Sequence, residues 1–204
     1  MKKLSFYFLL TFFAASVLIS CKKDEVESAP AEGKTVTVDA TSYDEWTYFS
    51  LSAGNVVPVT NPATETNWDL AFMRNHIRTN SGASGGGQGG AYDAGVVTLA
   101  SITEASSTGY VVDVNNVEHT IMDFTQTPPA VIVDVNASAV LETWGAFDTS
   151  VSPPTFNVSN KIFVVKSADG KYAKIHVKAY SNAVGTGHVT FEYKYQADGT
   201  VSLE

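Results

Sequence analysis

The chain has 204 residues and carries 13 Lys and Arg against 21 Asp and Glu, a net charge of −8 at pH 7. That balance excludes the basic stripe a nucleic-acid partner requires. A single cysteine excludes a disulfide framework and a thiolate metal cluster, and four scattered histidines show no zinc-ligand spacing.

Met1-Lys2-Lys3 is a short basic region, and the almost wholly apolar LSFYFLLTFFAASVLI follows at 4–19. The pattern predicts a secretory signal peptide over 1–20; as a membrane anchor it is marginal against a requirement of about 20 apolar residues. Leu18-Ile19-Ser20-Cys21 resembles a bacterial lipobox, which implies cleavage before Cys21 and acylation of its thiol. Acylation ties a protein to a membrane surface without making it integral. Lys22-Lys23-Asp24-Glu25 resembles the export signal of surface lipoproteins of Bacteroidetes, which implies the outer face of the outer membrane; the plainer reading is a solvated charge run. Residues 21–33 thus read as the lipidated cysteine plus a polar Pro/Ala/Glu tether, and 34–204 as one β-domain. Loss of 1–20 removes Lys2 and Lys3 but no acid, so the mature charge is −10.

Beyond the tether nearly every apolar segment has the period of a strand. KTVTVD at 34–39 alternates, and WTYFSL at 46–51 is aromatic and β-prone. Trp68, Leu70, Phe72, Arg74 and His76 fall at even positions of one strand-like run, which marks His76 as a partly buried structural histidine. EASSTG at 104–109 and ASAVLETW at 137–144 have room for one helical turn each. Residues 161–195 predict a three-stranded antiparallel meander: KIFVVKS, a turn at 168–170, KYAKIHVKAY, a Gly185/Gly187 turn, and HVTFEYKY. In its last strand Val189, Phe191, Tyr193 and Tyr195 share one face, and His188, Thr190, Glu192 and Lys194 the other. His176, flanked at even spacing by Lys174 and Lys178, reads as solvated, and so does His188. The fold class is therefore all-β: a single antiparallel two-layer or partial-barrel domain with long loops and little or no helix.

Six of residues 81–90 are glycine. A phosphate loop would need a following helix N-terminus and usually Lys-Ser/Thr. Here AYDAGVVTLA follows and reads as a turn and a strand, so the run predicts an inter-strand loop, flexible or tightly folded.

WTYFSLSAGNVV, NWDLAFMRNHIRTNSGASGGGQGGA, KIFVVKSADGKYAKIHV and GHVTFEYKY together resemble the HmuY-like haem-binding lipoproteins of Bacteroidetes, over nearly all of the mature domain. The resemblance implies an all-β fold, capture of haem, and its delivery to an outer-membrane TonB-dependent receptor. It also implies haem held between two axial side chains, from loops between the GYVVDV and KIFVV strands. Histidine suits ferric and methionine ferrous iron there.

The first ligand loop falls in NNVEHTIMDFTQTPPA (115–130) and offers His119 and Met122, which strand alternation would place on opposite faces. Met122 is the residue most like a family ligand by position, against a gap-filling core methionine; His119 stands against a solvated strand histidine. The second loop falls in WGAFDTSVSPPTF (144–156), where Trp144, Phe147, Pro154 and Thr155 look similar to the family. Asp148-Thr149-Ser150 stand where some members have histidine, and none of the three is a good haem ligand. Haem then binds with one axial residue and a water, or by a face stacked on apolar walls such as Phe124, Trp144, Phe147 and Phe156. Arg74 or Arg78 is a candidate partner for the propionates, against the ordinary reading of both as surface charges.

Nothing in the chain has the spacing of a catalytic nucleophile and its base, so the reading is of a binding protein. Two alternatives stand beside haem capture. One is a surface adhesin or glycan-binding β-domain without haem ligation, suggested by Asp- and Asn-rich segments at 113–123 and 134–136. The other is a ligand-free partner subunit of a TonB-dependent uptake complex.

Overall fold

The computed structural model describes residues 33–122, 127 and 130–204, and of residues 116, 120–122 and 130–132 the backbone alone. The expected signal peptide, Cys21, all of the tether but Gly33, and the wall candidate Phe124 lie outside the described residues. For Met122 the strand position is described and the side chain is not.

Thirteen strands follow in order: β1 (Lys34–Asp39), β2 (Thr47–Ser50), β3 (Asn55–Val56), β4 (Leu70–Met73), β5 (His76–Thr79), β6 (Gly90–Gly95), β7 (Val114–Met122), β8 (Ala130–Ala137), β9 (Gly145–Asp148), β10 (Thr155–Val158), β11 (Ile162–Lys166), β12 (Tyr172–Ser181) and β13 (Thr186–Gln196). Two short 3₁₀ turns, Leu99–Ser101 and Leu141–Trp144, are the helical content of the described chain. Five strands form one sheet in the order β1-β13-β12-β11-β6, and four form another in the order β3-β2-β4-β5. β9–β10 and β7–β8 are two-stranded ribbons, every pairing is antiparallel, and the sheets do not close into a barrel.

The core lies between the two larger sheets. β13 alternates as its sequence requires: Val189, Phe191 and Tyr193 are buried, while His188, Thr190, Glu192 and Lys194 are not. Phe191 stacks on Phe72 of β4 at 5.2 Å and meets Phe49 of β2 edge-on at 5.3 Å. Burial of each such ring stabilises the pair of sheets by about 2–3 kcal/mol.

Two expectations need correction. The run from Trp68 to His76 is not one strand but a hairpin: β4 and β5 pair with Met73 opposite His76, and Arg74-Asn75 form the turn. Both strands are buried at every position, so no polar face marks where the chain reverses. The outer face of the five-stranded sheet is only partly solvated. The segments around Ala105 and Leu203 cover it, Lys174 is buried with its Nζ donating to the Ile102 carbonyl at 2.7 Å, and His176 and His188 are half-buried.

The glycine run is tightly folded around one side chain. Asn80, fully buried, donates to the carbonyls of Glu65 (2.9 Å) and Trp68 (3.0 Å), and its Oδ1 accepts from Gly87 N–H at 2.9 Å. Gly89 N–H donates to the Asn80 carbonyl, and Gln88 N–H to that of Ala168 in the β11–β12 turn. A Cβ on Gly87 would sit 2.7 Å from the Asn80 oxygen and 2.9 Å from the Ala168 Cα. Close backbone approach, not an anion, is what the glycines serve.

Candidate functional site

The 3₁₀ turn Leu141–Trp144 buries Trp144 and delivers the chain into the β9–β10 hairpin, which folds over the end of β12. Trp144 is anchored by its indole N–H, which donates to the Asn75 carbonyl at 2.7 Å. Its ring lies 4.5 Å from Phe156, which in turn lies 5.0 Å from Phe147 and 4.7 Å from Tyr180. Gly145 makes this possible, because a Cβ there would lie 2.4 Å from the Phe156 ring. Between hairpin and strand is a cleft of about 420 Å³, walled by Phe147, Phe156 and Tyr180, with Lys178, Ser181 and Thr186 as polar members. That volume is in the range of small-molecule sites, and the mix of aromatic wall and few polar groups is their usual form.

Tyr180 was not among the sequence candidates, and its omission has a physical cause. Ala173, Ile175 and Val177 face inward at odd positions, which predicts Ala179 as the next. The β12–β13 register shifts between Val177 and Ala179 and again before Ser181, and this irregularity turns Tyr180 inward instead.

Beneath the cleft lies Arg74. It is not a surface charge: only 8% of it is exposed, and it occupies the β4–β5 turn with φ of 52°. A left-handed conformation costs a residue with a side chain roughly 1–2 kcal/mol. Its Nη1 donates to the Thr41 carbonyl at 3.1 Å and its Nη2 to the Thr186 hydroxyl at 2.9 Å. The guanidinium stacks 4.3 Å from the Tyr43 ring and 5.5 Å from that of Tyr180. Arg78 is also buried, boxed by Trp46, Tyr48 and Trp68 at 4.2, 5.1 and 5.5 Å and bonded to the Tyr48 hydroxyl. Desolvation holds its pKa below the usual guanidinium value.

His119 is buried on β7 and is not a solvated strand histidine. Its Nε2 lies 3.0 Å from the Tyr43 carbonyl, so that nitrogen carries the proton and donates. Its ring meets His76 edge-on at 4.6 Å, and burial lowers its pKa. His76 Nδ1 is 2.8 Å from Glu142 Oε2, and the other Glu142 oxygen accepts from Ile77 N–H at 3.0 Å. His76 is thus a buried structural histidine at the root of the turn that carries Trp144.

Two of the acidic and amide residues that suggested a glycan contact, Asp113 and Asn136, are committed internally, while Asn115, Glu118 and Asp134 are exposed. Asp113 is buried and accepts both the N–H (2.8 Å) and the hydroxyl (2.7 Å) of Thr79; burial pushes its pKa up to about 6. Asn136 donates to the Ala83 carbonyl at 2.7 Å, and the segments 114–122 and 130–137 are the paired strands β7 and β8 rather than loops. Asp148 accepts from the N–H and hydroxyl of Ser150, so these two close the end of β9 as a local turn.

Of the sequence candidates, Phe147 and Phe156 line the cleft, Trp144 is buried behind Phe156 and does not line it, and Arg74 lies below, bonded to Thr186. His119 reaches the same region through Tyr43, whose ring covers Arg74. Arg78 sits apart in its aromatic box. Lys178, Tyr180 and Thr186 complete the site, and alternation alone would have selected only the exposed side of β12 for Lys178.

Such an open, antiparallel two-sheet domain with an aromatic cleft under a short hairpin defines the class of protein. The model of the HmuY protein family matches residues 42–193, and the chain belongs to that family. Among solved structures, it is similar to a candidate HmuY-like haem binding protein of Bacteroides vulgatus ATCC 8482, with 28% identity and a TM-score of 0.63 over 79% of this chain and 90% of that one. It is similar to the apo HmuY analog of Tannerella forsythia, with 26% identity and a TM-score of 0.61 over 80% and 95% of the two chains. A candidate lipoprotein of Bacteroides fragilis NCTC 9343 shares the fold, with 24% identity and a TM-score of 0.62 over 82% and 92%. No curated protein matches the chain at a significant level.

Proposed function

We propose that this protein is a haem- or porphyrin-binding carrier whose ligand lies in the cleft between the β9–β10 hairpin and β12. The observation that carries the reading is the aromatic wall of Phe147, Phe156 and Tyr180 around about 420 Å³ in a chain of the HmuY family. Flat aromatic side chains suit a flat apolar ring, and each such contact contributes about 0.5–1.5 kcal/mol beyond the area it buries. Haem when bound supplies a planar apolar face, an iron ion and two carboxylates.

The fit is good for the ring and incomplete for the iron. Among the described side chains neither histidine nor methionine lines the cleft, and His119 Nε2 is engaged with Tyr43. Met122 ends β7 three residues beyond His119, about 10 Å along the strand, and remains the axial candidate. Stacking would then hold the porphyrin, and a thioether from Met122, the axial candidate by sequence resemblance, would favour ferrous iron. Delivery to a TonB-dependent outer-membrane receptor, from an anchor at Cys21 on the cell surface, completes the reading; the lipobox and the export signal in the sequence support it.

The test is an absorbance titration with ferric and with reduced haem at micromolar protein. A Soret shift is expected in at least one redox state, larger and tighter for reduced haem. Met122→Ala should erase that redox preference while stacking persists. Absence of a Soret shift in both states would sink the proposal.

A further inference from the structure

We infer that the cleft is built to receive a carboxylate-bearing edge of its ligand, taken by the Thr186 hydroxyl and the Lys178 ammonium with the buried charge of Arg74 behind them. The inference rests on the cleft being the porphyrin site and adds which chemical edge it recognises. Its origin is an uncompensated charge. Arg74 is more than nine-tenths buried, and among the described residues no carboxylate lies within 4 Å of its guanidinium; the ion pairs there are His76–Glu142, Lys161–Asp93, Lys171–Asp169 and Lys178–Glu192. Its polar partners are carbonyls and the Thr186 hydroxyl. A buried cation without a counter-charge is costly, and here it also occupies a left-handed turn position. The neighbouring chain makes room for it: a Cβ on Gly187 would lie 2.5 Å from Arg74 Nη1.

The direction of the Thr186 bond matters. Because Nη2 donates to the Thr186 oxygen, that hydroxyl directs its own proton away from the arginine. Thr186 lines the cleft, so the proton is available to an acceptor inside it, and the adjoining guanidinium makes it a stronger donor. Lys178 lines the same cleft and is bonded to Glu192 at 2.5 Å. An ammonium has three donors, so it keeps Glu192 and still offers N–H groups to a ligand. The Lys178–Glu192 pair is neutral as a unit, so among the described residues Arg74 is the cation beside the cleft that has no ion-pair partner. A neutral or cationic edge would leave that charge unanswered. Arg74 acts here as a positioning residue through Thr186, not as a group that touches ligand.

The experiment compares iron protoporphyrin IX, which carries two carboxylates, with its dimethyl ester, which carries none, in the same detergent buffer. The native protein should bind the diacid at least about tenfold more tightly, the range of a hydrogen bond to a charged group. The diacid-to-diester ratio should collapse in Thr186→Val, persist in Thr186→Ser, and shrink in Lys178→Met. Because the readout is a ratio, a general loosening of the cleft that weakens both porphyrins does not imitate the effect. Equal affinity of the native protein for diacid and diester overturns the inference and leaves porphyrin binding intact. A full ratio retained in Thr186→Val overturns it as well. Failure of the native protein to bind either porphyrin overturns the porphyrin site itself.

Discussion

Replacement of Asp113 by Asn should stabilise the protein in a way that depends on pH. Asp113 is buried behind Thr79, and desolvation is the largest influence on it, opposed by the two Thr79 hydrogen bonds and by the charge of Arg78. The balance raises its pKa from 3.8 to about 6. A raised carboxylate pKa means that the native state binds a proton more tightly than the unfolded chain. Stability from this group is therefore greatest below pH 3.8 and declines as pH rises through 6. At about 1.4 kcal/mol per pKa unit, the decline amounts to about 3 kcal/mol in full and about 2 kcal/mol between pH 4 and pH 7.5. Asn has no such titration, and its amide can accept from Thr79 N–H and donate to the Thr79 oxygen. The other titrating groups act alike in both proteins, so the difference between them isolates Asp113. Urea unfolding followed by tryptophan fluorescence at the two pH values should show Asp113→Asn gaining about 2 kcal/mol on the native protein as pH rises. A difference that does not change with pH would refute the reasoning, and would mean that Arg78 compensates the buried carboxylate.

Two further outcomes follow from the packing. Gly87→Ala should cost about 2–3 kcal/mol, because its Cβ meets Asn80 and Ala168 backbone, whereas Gly109→Ala should cost about 1 kcal/mol, because Gly109 has only its φ of 89° to protect and nothing within 4 Å. Equal urea midpoints for the two variants would contradict the close-approach account of the glycine run. Phe156→Ala removes the ring that joins Trp144, Phe147 and Tyr180, and should weaken porphyrin binding by roughly tenfold or more in the absorbance titration; unchanged affinity would move the ligand out of this cleft.

What could be read from the residues was whatever depends on local alternation. β1 and β13 follow the period of 2 in KTVTVD and HVTFEYKY, because each has one face on the core and a different environment on the other. The loop character of the glycine run was equally plain from the strand after it. Legibility failed where both faces are buried, as in the β4–β5 hairpin that hid the Arg74 turn. It failed again at the irregularity in β12, which reverses the parity that would have kept Tyr180 away from the cleft. Phe147 and Phe156 were found because aromatic residues close together in one segment meet readily across a hairpin. Thr186, Lys178 and Tyr43 come from segments far apart in the chain, and no local pattern links them to residues 144–156.

The pairing of β1 with β13 sets a condition on how the chain reaches this structure. Lys34 lies opposite Tyr193 and Asp39 opposite His188, so among the described residues the first strand of the larger sheet pairs with a strand about 150 residues further along the chain. That edge of the sheet is closed by contacts of high sequence separation, which form slowly because bringing the ends of so long a segment together costs loop-closure entropy. A nascent chain that stops before Thr186 has no strand to receive β1 and leaves one side of β12 open. The β1 edge of this sheet is therefore withheld until β13 has been made, so β1 remains an unpaired strand for most of the chain's synthesis.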